Sequence, residues 1–249
     1  MKKKIKIGID INEVLRARWL QFDKYYVEEF GIEGVPKDSY VYDFFKKYKW
    51  EDTTEEVKIL NEDLPEDINP IDYQIDKKTG EAPIDYLAFK TEKNILTAKE
   101  LYNRFMYEDY LFEIHGSARK MYDQLDLHLE KFYLKYKDFV DFVIISKENW
   151  FSIPPTLFFL SKIMSRFTKY HFVNDNKEMW EDVDILITTD PEILNDGTPE
   201  EKKVIKLSRP YNEECQDGSI NDKILHINEL IDNEKFEKII EYNNPKNKE

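Results

Sequence analysis

Abundant cysteine and long apolar runs, which are typical of secreted and membrane proteins, are both missing from this chain. It has a single cysteine in 249 residues, which excludes an internal disulfide and fits a reducing compartment. No apolar run approaches the roughly 18 residues that a membrane-spanning helix needs, so we expect no membrane partner. The lysines at the start lead into a strand pattern rather than an apolar signal segment. We therefore expect a cytoplasmic location where the protein is made.

Basic residues are outnumbered by acidic residues. The sequence has 37 basic and 51 acidic residues, which gives a formal net charge of −14. Binding to nucleic-acid backbones requires clustered lysine and arginine, so we expect no general nucleic-acid surface. The abundance of Lys, Asn, Ile, Tyr and Glu is typical of proteins from AT-rich genomes and needs no functional explanation. Only 7 glycines are present, which indicates few flexible linkers.

Hydrophobic residues make up 41% of the chain, enough to build a full core at this length. Alternating strand and helix patterns predict an α/β protein with a doubly wound parallel sheet of Rossmann type. The predicted strands are residues 4–9, 139–146, 170–173, 183–187 and 203–207, and the main predicted helices are 14–30, 117–136, 154–166 and 227–242. This alternation is lost over residues 32–111, which we interpret as an inserted cap, with residues 1–31 and 112–249 forming the core.

Polar side chains follow the first two predicted core strands. Asp10 and Asn12 come directly after an Ile-rich strand, and Ser146 ends a nearly continuous apolar strand. The carboxyl ends of parallel strands are where such sheets place their ligands. The four histidines, in contrast, show no paired spacing for zinc and are interpreted as structural or solvent-facing. They are His115, His128, His171 and His226.

Several segments resemble the haloacid dehalogenase (HAD) superfamily, specifically its 5'(3')-deoxyribonucleotidase-like branch. They are residues 8–15 (GIDINEVL), the strand ending in Ser146, residues 184–191 (DILITTDP), residues 208–212 (SRPYN) and the helix start at residues 115–118 (HGSA). The resemblance covers about residues 1–30 and 112–230. It implies a HAD-like core, but the Pro-Tyr-Asn segment also has a simpler interpretation as a turn.

The resemblance implies catalytic roles for the first motif. In that family it reads Asp-x-Asp, where the first carboxylate attacks phosphorus and the second is the general acid and base. Asp10 takes the position of the nucleophile, and Asn12 takes the acid/base position. Because an amide cannot shuttle a proton, a factor of roughly 10²–10⁴ in rate is lost there. Asp10 is thus a vestigial nucleophile in this interpretation.

The resemblance also implies a magnesium site and a phosphate site. Thr188 and Thr189 stand where the family has paired aspartates, which leaves Asp10 as the retained metal ligand. A shift in register would bring Asp190 in as a second, weak ligand. Ser146 and Lys177 match the residues that bind phosphate. We expect no cofactor if the chain is inactive, and Mg²⁺ if it is an active phosphatase.

Three functions remain open at this point. The first is a catalytically impaired, nucleotidase-like protein used as a structural or assembly component, for example in the neck or tail ring of a bacteriophage virion, with other protein subunits as partners. The second is an active phosphatase or 5'-nucleotidase with a rebuilt metal site that uses Asp10, Asp190 and Glu13. The third is a regulator that binds a nucleotide through Ser146 and Lys177 without hydrolysing it.

Overall fold

A computed structural model describes residues 4–30, 102–163, 166–215, 218–220 and 222–243. In this part of the chain, no helix is both long enough and apolar enough to cross a membrane. The predicted cap, residues 32–111, lies almost entirely outside the described residues, so its boundaries stay a prediction. The chain divides into two compact units, residues 1–21 with 111–249 and residues 22–110.

The first unit contains a five-stranded, all-parallel sheet. Its strands are β1 (Ile5–Ile9), β2 (Val140–Lys147), β3 (Tyr170–Val173), β4 (Ile185–Thr188) and β5 (Lys203–Lys206), in the spatial order β3-β2-β1-β4-β5. The prediction of an α/β protein with a parallel sheet is confirmed. The chain moves outward from β1 to β3 and then crosses to β4, so the order reverses between β1 and β4. Such a reversal is where open parallel sheets form a crevice.

Alternating side chains of the strands enter two separate buried clusters. Ile7 and Ile9 lie in one cluster together with Ile144, whereas Ile145 and Leu186 lie in the other. Both faces of the sheet are therefore covered, which explains the continuous apolar sequence of β2. Gly8, in the central strand, has no room for a side chain, because an added Cβ would lie 2.8 Å from a methyl group of Val183.

The described residues also form six α-helices. They are α1 (Arg18–Phe30), α2 (Leu111–His115), α3 (Leu125–Tyr136), α4 (Ile153–Ile163), α5 (Pro191–Asp196) and α6 (Glu234–Asn243). A π-helical turn covers Phe105–Asp109, and short 3₁₀ turns cover Glu178–Trp180, Pro210–Asn212 and Ile227–Leu230. The first cluster includes buried side chains of α3, α4 and α6, and the second includes side chains of α5.

Three predicted helices are shorter than expected. The helix predicted from residue 14 begins at Arg18, because residues 13–17 form a tight loop in which Glu13 has a positive φ of 59°. The helix predicted from residue 117 begins at Leu125. The predicted helix over residues 227–242 is two elements, because the Asn233 side chain accepts hydrogen bonds from the N–H groups of Lys235 and Phe236 and so starts α6 anew.

Candidate functional site at the carboxyl edge of the sheet

Asp10 follows β1 at the point where the strand order reverses, and both oxygens of its carboxylate accept hydrogen bonds from the protein. Oδ1 accepts hydrogen bonds from the Ile11 N–H at 2.7 Å and the Ser146 hydroxyl at 3.2 Å. Oδ2 accepts a hydrogen bond from the Thr188 hydroxyl at 2.8 Å. Asp10, Ser146 and Thr188 are all buried. The structure thus brings together predicted residues from the ends of three neighbouring strands.

Burial also changes the acidity of Asp10. Removal from water, followed by repulsion from Asp190, raises the pKa of Asp10 to about 6. The hydrogen bonds from Thr188 and Ile11 favour the ionised form and oppose this rise. Asp10 is therefore a carboxyl group that is costly to ionise inside the fold, and part of its population is protonated near pH 6.

Asn12 is turned into the protein and hydrogen-bonded through both ends of its amide. Its Oδ1 accepts from Arg16 Nη2 at 2.6 Å and from Arg16 Nε at 3.1 Å. Its Nδ2 donates to Ser146 Oγ at 3.3 Å and to Glu148 Oε1 at 3.4 Å. The residue at the predicted acid/base position is therefore a connector between Ser146 and the Arg16–Glu148 pair.

Arg16 lies at the centre of this polar network and is completely buried. Besides Asn12, its guanidinium donates to the carboxylate of Glu148, to the His115 carbonyl at 2.9 Å and to the Thr156 hydroxyl at 2.7 Å. These five hydrogen bonds join the loop after β1 to the end of β2, to α2 and to α4. A buried arginine with all its partners in place defines a rigid arrangement of those elements.

Glu148 is the buried counterion of Arg16. Burial alone would raise the pKa of Glu148, but attraction to Arg16 and His115 outweighs it and holds that pKa below its ordinary value. The second carboxylate oxygen accepts from the Ser152 hydroxyl at 2.6 Å, and His115 Nδ1 lies 3.6 Å from it. Glu148 thus remains an anion within the network, and removal of Arg16 would leave it buried without its main counterion.

Asp190 lies in the same region, where it caps a helix and pairs with a lysine. Its Oδ1 accepts the Glu192 N–H at 2.8 Å and so caps the first turn of α5, and its Oδ2 lies 3.0 Å from Lys147 Nζ. Burial would lower the pKa of Lys147, but the attraction to Asp190 outweighs it and raises that pKa. A lysine ammonium therefore contacts the oxygen that was predicted as a weak metal ligand.

The carboxylate oxygens that a magnesium ion would use at this edge already have partners in the protein. Each carboxylate oxygen of Asp10 and Asp190 accepts a hydrogen bond or contacts an ammonium group, and Mg²⁺ takes oxygen ligands in near-octahedral geometry. In the described residues, no three or more His, Cys, Asp or Glu side chains are grouped so that they could hold a metal ion. The vestigial metal role of Asp10 and Asp190 stays a prediction.

Glu13 has a local structural role. Its carboxylate accepts the Trp19 N–H at 2.9 Å in the first turn of α1, where negative charge is stabilising. Its carbonyl accepts from Arg209 Nη2 at 2.7 Å. Glu13 therefore fixes the loop that presents Asn12 and Arg16, and neither of these contacts directs its carboxylate at Asp10.

The Pro-Tyr-Asn segment is a 3₁₀ turn, Pro210–Asn212, and its asparagine joins two strand ends. Asn212 Nδ2 donates to the Thr189 carbonyl at 2.9 Å and to the Leu207 carbonyl at 3.0 Å, and Asn212 Oδ1 accepts the Arg209 N–H at 2.8 Å. Asn212 is completely buried. This motif therefore positions the residues after β4 and β5.

Lys177 is exposed and lies beside the 3₁₀ turn Glu178–Trp180, where its main-chain N–H donates to Asp175. No hydrogen bond or ion pair of the described residues joins it to Asp10 or Ser146, and its role in phosphate binding stays a prediction.

A different lysine, Lys147, lies at this edge of the sheet. Arg16, Lys147 and Glu148 were not predicted as site residues from the sequence. The sequence signals for these three residues are an arginine inside an apolar stretch and two charged residues directly after Ser146.

In comparisons with known proteins, the chain matches no family model and no curated protein.

Proposed function

We propose that this chain is a non-catalytic protein on a nucleotidase-like fold of HAD type and that it serves as a structural or assembly component of a larger complex. A neck or tail ring of a bacteriophage virion is one such complex. The observation that carries the proposal is the state of the sheet edge. Asp10 and Asn12, at the positions of nucleophile and acid/base, are buried and hydrogen-bonded to the protein itself.

Catalysis of phosphoryl transfer needs a nucleophile that can reach phosphorus and a group that can move a proton. Asp10 directs both oxygens at protein donors, and Asn12 carries no titratable proton. A substrate phosphate would have to displace the hydroxyl groups of Ser146 and Thr188. This edge is therefore better suited to stabilising the fold than to turnover.

The first unit also offers apolar surface for protein partners. Trp150 and Phe151, which precede α4, are 69% and 46% exposed, and their rings stack at 3.6 Å between centroids. On α4, Phe158 is 47% exposed and packs 5.0 Å from the ring of Phe112. Exposed aromatic clusters of this kind are typical anchors of protein interfaces, and they support a role in assembly with other protein subunits.

A magnesium titration separates this proposal from an active phosphatase. We expect no saturable Mg²⁺ binding by calorimetry, because Lys147 already neutralises Asp190 and both carboxylate oxygens of Asp10 accept hydrogen bonds from the protein. Saturable binding that disappears in Asp10→Asn would favour an active phosphatase with a rebuilt site. Binding of nucleoside monophosphates without hydrolysis would instead favour a nucleotide-binding regulator.

The assembly role is tested by native mass spectrometry and cross-linking of material from its natural source. We expect a complex with other protein subunits and cross-links close to Trp150 and Phe158. A matched pair of variants, Trp150→Ala and Leu134→Ala, compares the exposed Trp150–Phe151 pair with an exposed apolar residue of α3. A protein that remains strictly monomeric would contradict the assembly proposal, and a complex equally insensitive to both variants would contradict the role of the surface at Trp150.

A further inference from the structure

The amino edge of the sheet, opposite to Asp10, contains a small cleft of about 90 Å³. Its walls come from segments that enter the sheet: Lys4 precedes β1, Asp141 lies at the start of β2, and residues 166–169 precede β3. The C-terminal end of α3 closes it with Tyr133 and the following Lys137. Because the strands are parallel, this cleft and the Asp10 network occupy opposite ends of the same sheet.

The charge of the cleft is opposite to that of the chain. Four basic residues line it, namely Lys4, Lys137, Arg166 and Lys169, against the single acidic residue Asp141. The whole chain, in contrast, has a formal charge of −14. A concentration of positive charge on an acidic protein creates a local field that attracts anions.

The existing partners of these cations leave positive charge available. Lys169 Nζ lies 2.9 Å from Asp141 in a solvent-exposed pair, and Arg166 lies 3.3 Å from Glu130 in another. Lys4 Nζ donates a hydrogen bond to the main-chain carbonyl of Lys137. This carbonyl is uncharged, so it does not neutralise the ammonium group. The contacts of Lys137 among the described residues involve its main chain. Exposed ion pairs are weak, so these side chains can turn to a stronger anionic ligand.

The size and chemistry of the cleft select a small ligand. Pockets for drug-sized molecules measure about 300–1,000 Å³, so a cleft of about 90 Å³ accommodates a group of a few heavy atoms. Arginine and lysine together are suited to phosphate oxygens, since the guanidinium binds two oxygens and the ammonium supplies a point charge. Phe142 and Phe167 form an apolar part of the wall and are themselves buried.

From this arrangement we infer that the cleft binds a phosphate group, either as inorganic phosphate or as the head of a phosphomonoester. The lysines and Arg166 neutralise the dianion, and the body of an ester would extend into solvent from the exposed side. This inference does not depend on the proposed function, because it concerns residues at the other end of the sheet.

The test is calorimetric titration of the intact protein with inorganic phosphate at constant ionic strength, with sodium chloride as the reference salt. We expect saturable binding that weakens as salt is added. The double variant Lys137→Gln/Lys169→Gln should weaken it by at least about tenfold. Lys223→Gln/Lys235→Gln is the matched control, because it also removes two exposed lysines, which here lie in ion pairs with Glu213 and Asp222. It should bind phosphate within about twofold of the parent chain.

Two further arms complete the experiment. Titration with phenyl phosphate shows whether an ester head binds more tightly than free phosphate, and circular dichroism shows that all variants remain folded. The inference is overturned if the parent shows no saturable binding at millimolar concentrations of either compound. It is also overturned if both double variants bind equally, or if Ser146→Ala abolishes binding while Lys137→Gln/Lys169→Gln retains it, since the phosphate then binds at the other edge.

Discussion

Replacing Arg16 with methionine is the strongest perturbation of the polar network. The substitution removes five hydrogen bonds and leaves the Glu148 carboxylate buried without its guanidinium partner. Breaking a buried ion pair from one side costs about 3–5 kcal/mol. We therefore expect Arg16→Met to lower the free energy of unfolding by that amount and the melting temperature by roughly 10 °C for a chain of this size.

The assay is denaturant unfolding followed by tryptophan fluorescence, with two comparison variants. Arg166→Met removes an arginine that is 55% exposed and paired with Glu130, and it should change stability by less than about 0.5 kcal/mol. The double variant Arg16→Met/Glu148→Met removes both charges and should recover part of the loss, because no isolated ion remains. A cost below about 1 kcal/mol for Arg16→Met would refute the assignment of Arg16 as the centre of the network.

Three further predictions concern the neighbouring residues. The pKa of Asp10 is about 6 in the folded state, against an ordinary 3.8. The contribution of protonated Asp10 to stability is therefore complete below pH 3.8 and is lost as pH rises through about 6. The free energy of unfolding of Asp10→Asn, relative to wild type, should therefore increase by about 2 kcal/mol between pH 4 and pH 7 in parallel unfolding measurements. A difference that is independent of pH would contradict this. Asn212→Ala should lower the free energy of unfolding by about 2–3 kcal/mol in chemical denaturation, because it leaves the Thr189 and Leu207 carbonyls without their buried donor. An unchanged free energy would show that the turn does not depend on its asparagine. Thr188→Asp should lower the melting temperature without metal, since it places a second carboxylate beside Asp10, and an unchanged melting curve would argue against this proximity.

The strands were predictable because runs of β-branched residues are typical of β-strands. The predicted strands at residues 139–146, 170–173 and 203–207 agree with β2, β3 and β5 within one residue at each end. The meeting of Asp10 with Ser146 also followed from the rule that parallel strands present their carboxyl ends at one edge. Local sequence patterns and strand direction were sufficient for these features.

The polar network was not predictable from local patterns. Arg16 is held by Asn12, four residues away, but also by His115 and Glu148, which are 99 and 132 residues away in sequence. An apolar neighbourhood around Arg16 is compatible with a helix stripe, whereas in the structure Arg16 is buried in a loop in which Glu13 has a left-handed backbone conformation. Long-range hydrogen bonds of this kind depend on the assembled fold.

The most direct test of the account is phosphomonoester hydrolysis by the wild-type protein and by Asp10→Asn, prepared identically and assayed with and without Mg²⁺. If the sheet edge is a buried structural network, both proteins should show the same background rate on p-nitrophenyl phosphate and on deoxynucleoside monophosphates, and Mg²⁺ should not raise it. Turnover by the wild type that is stimulated by Mg²⁺ and absent in Asp10→Asn would contradict the account and establish Asp10 as a working nucleophile.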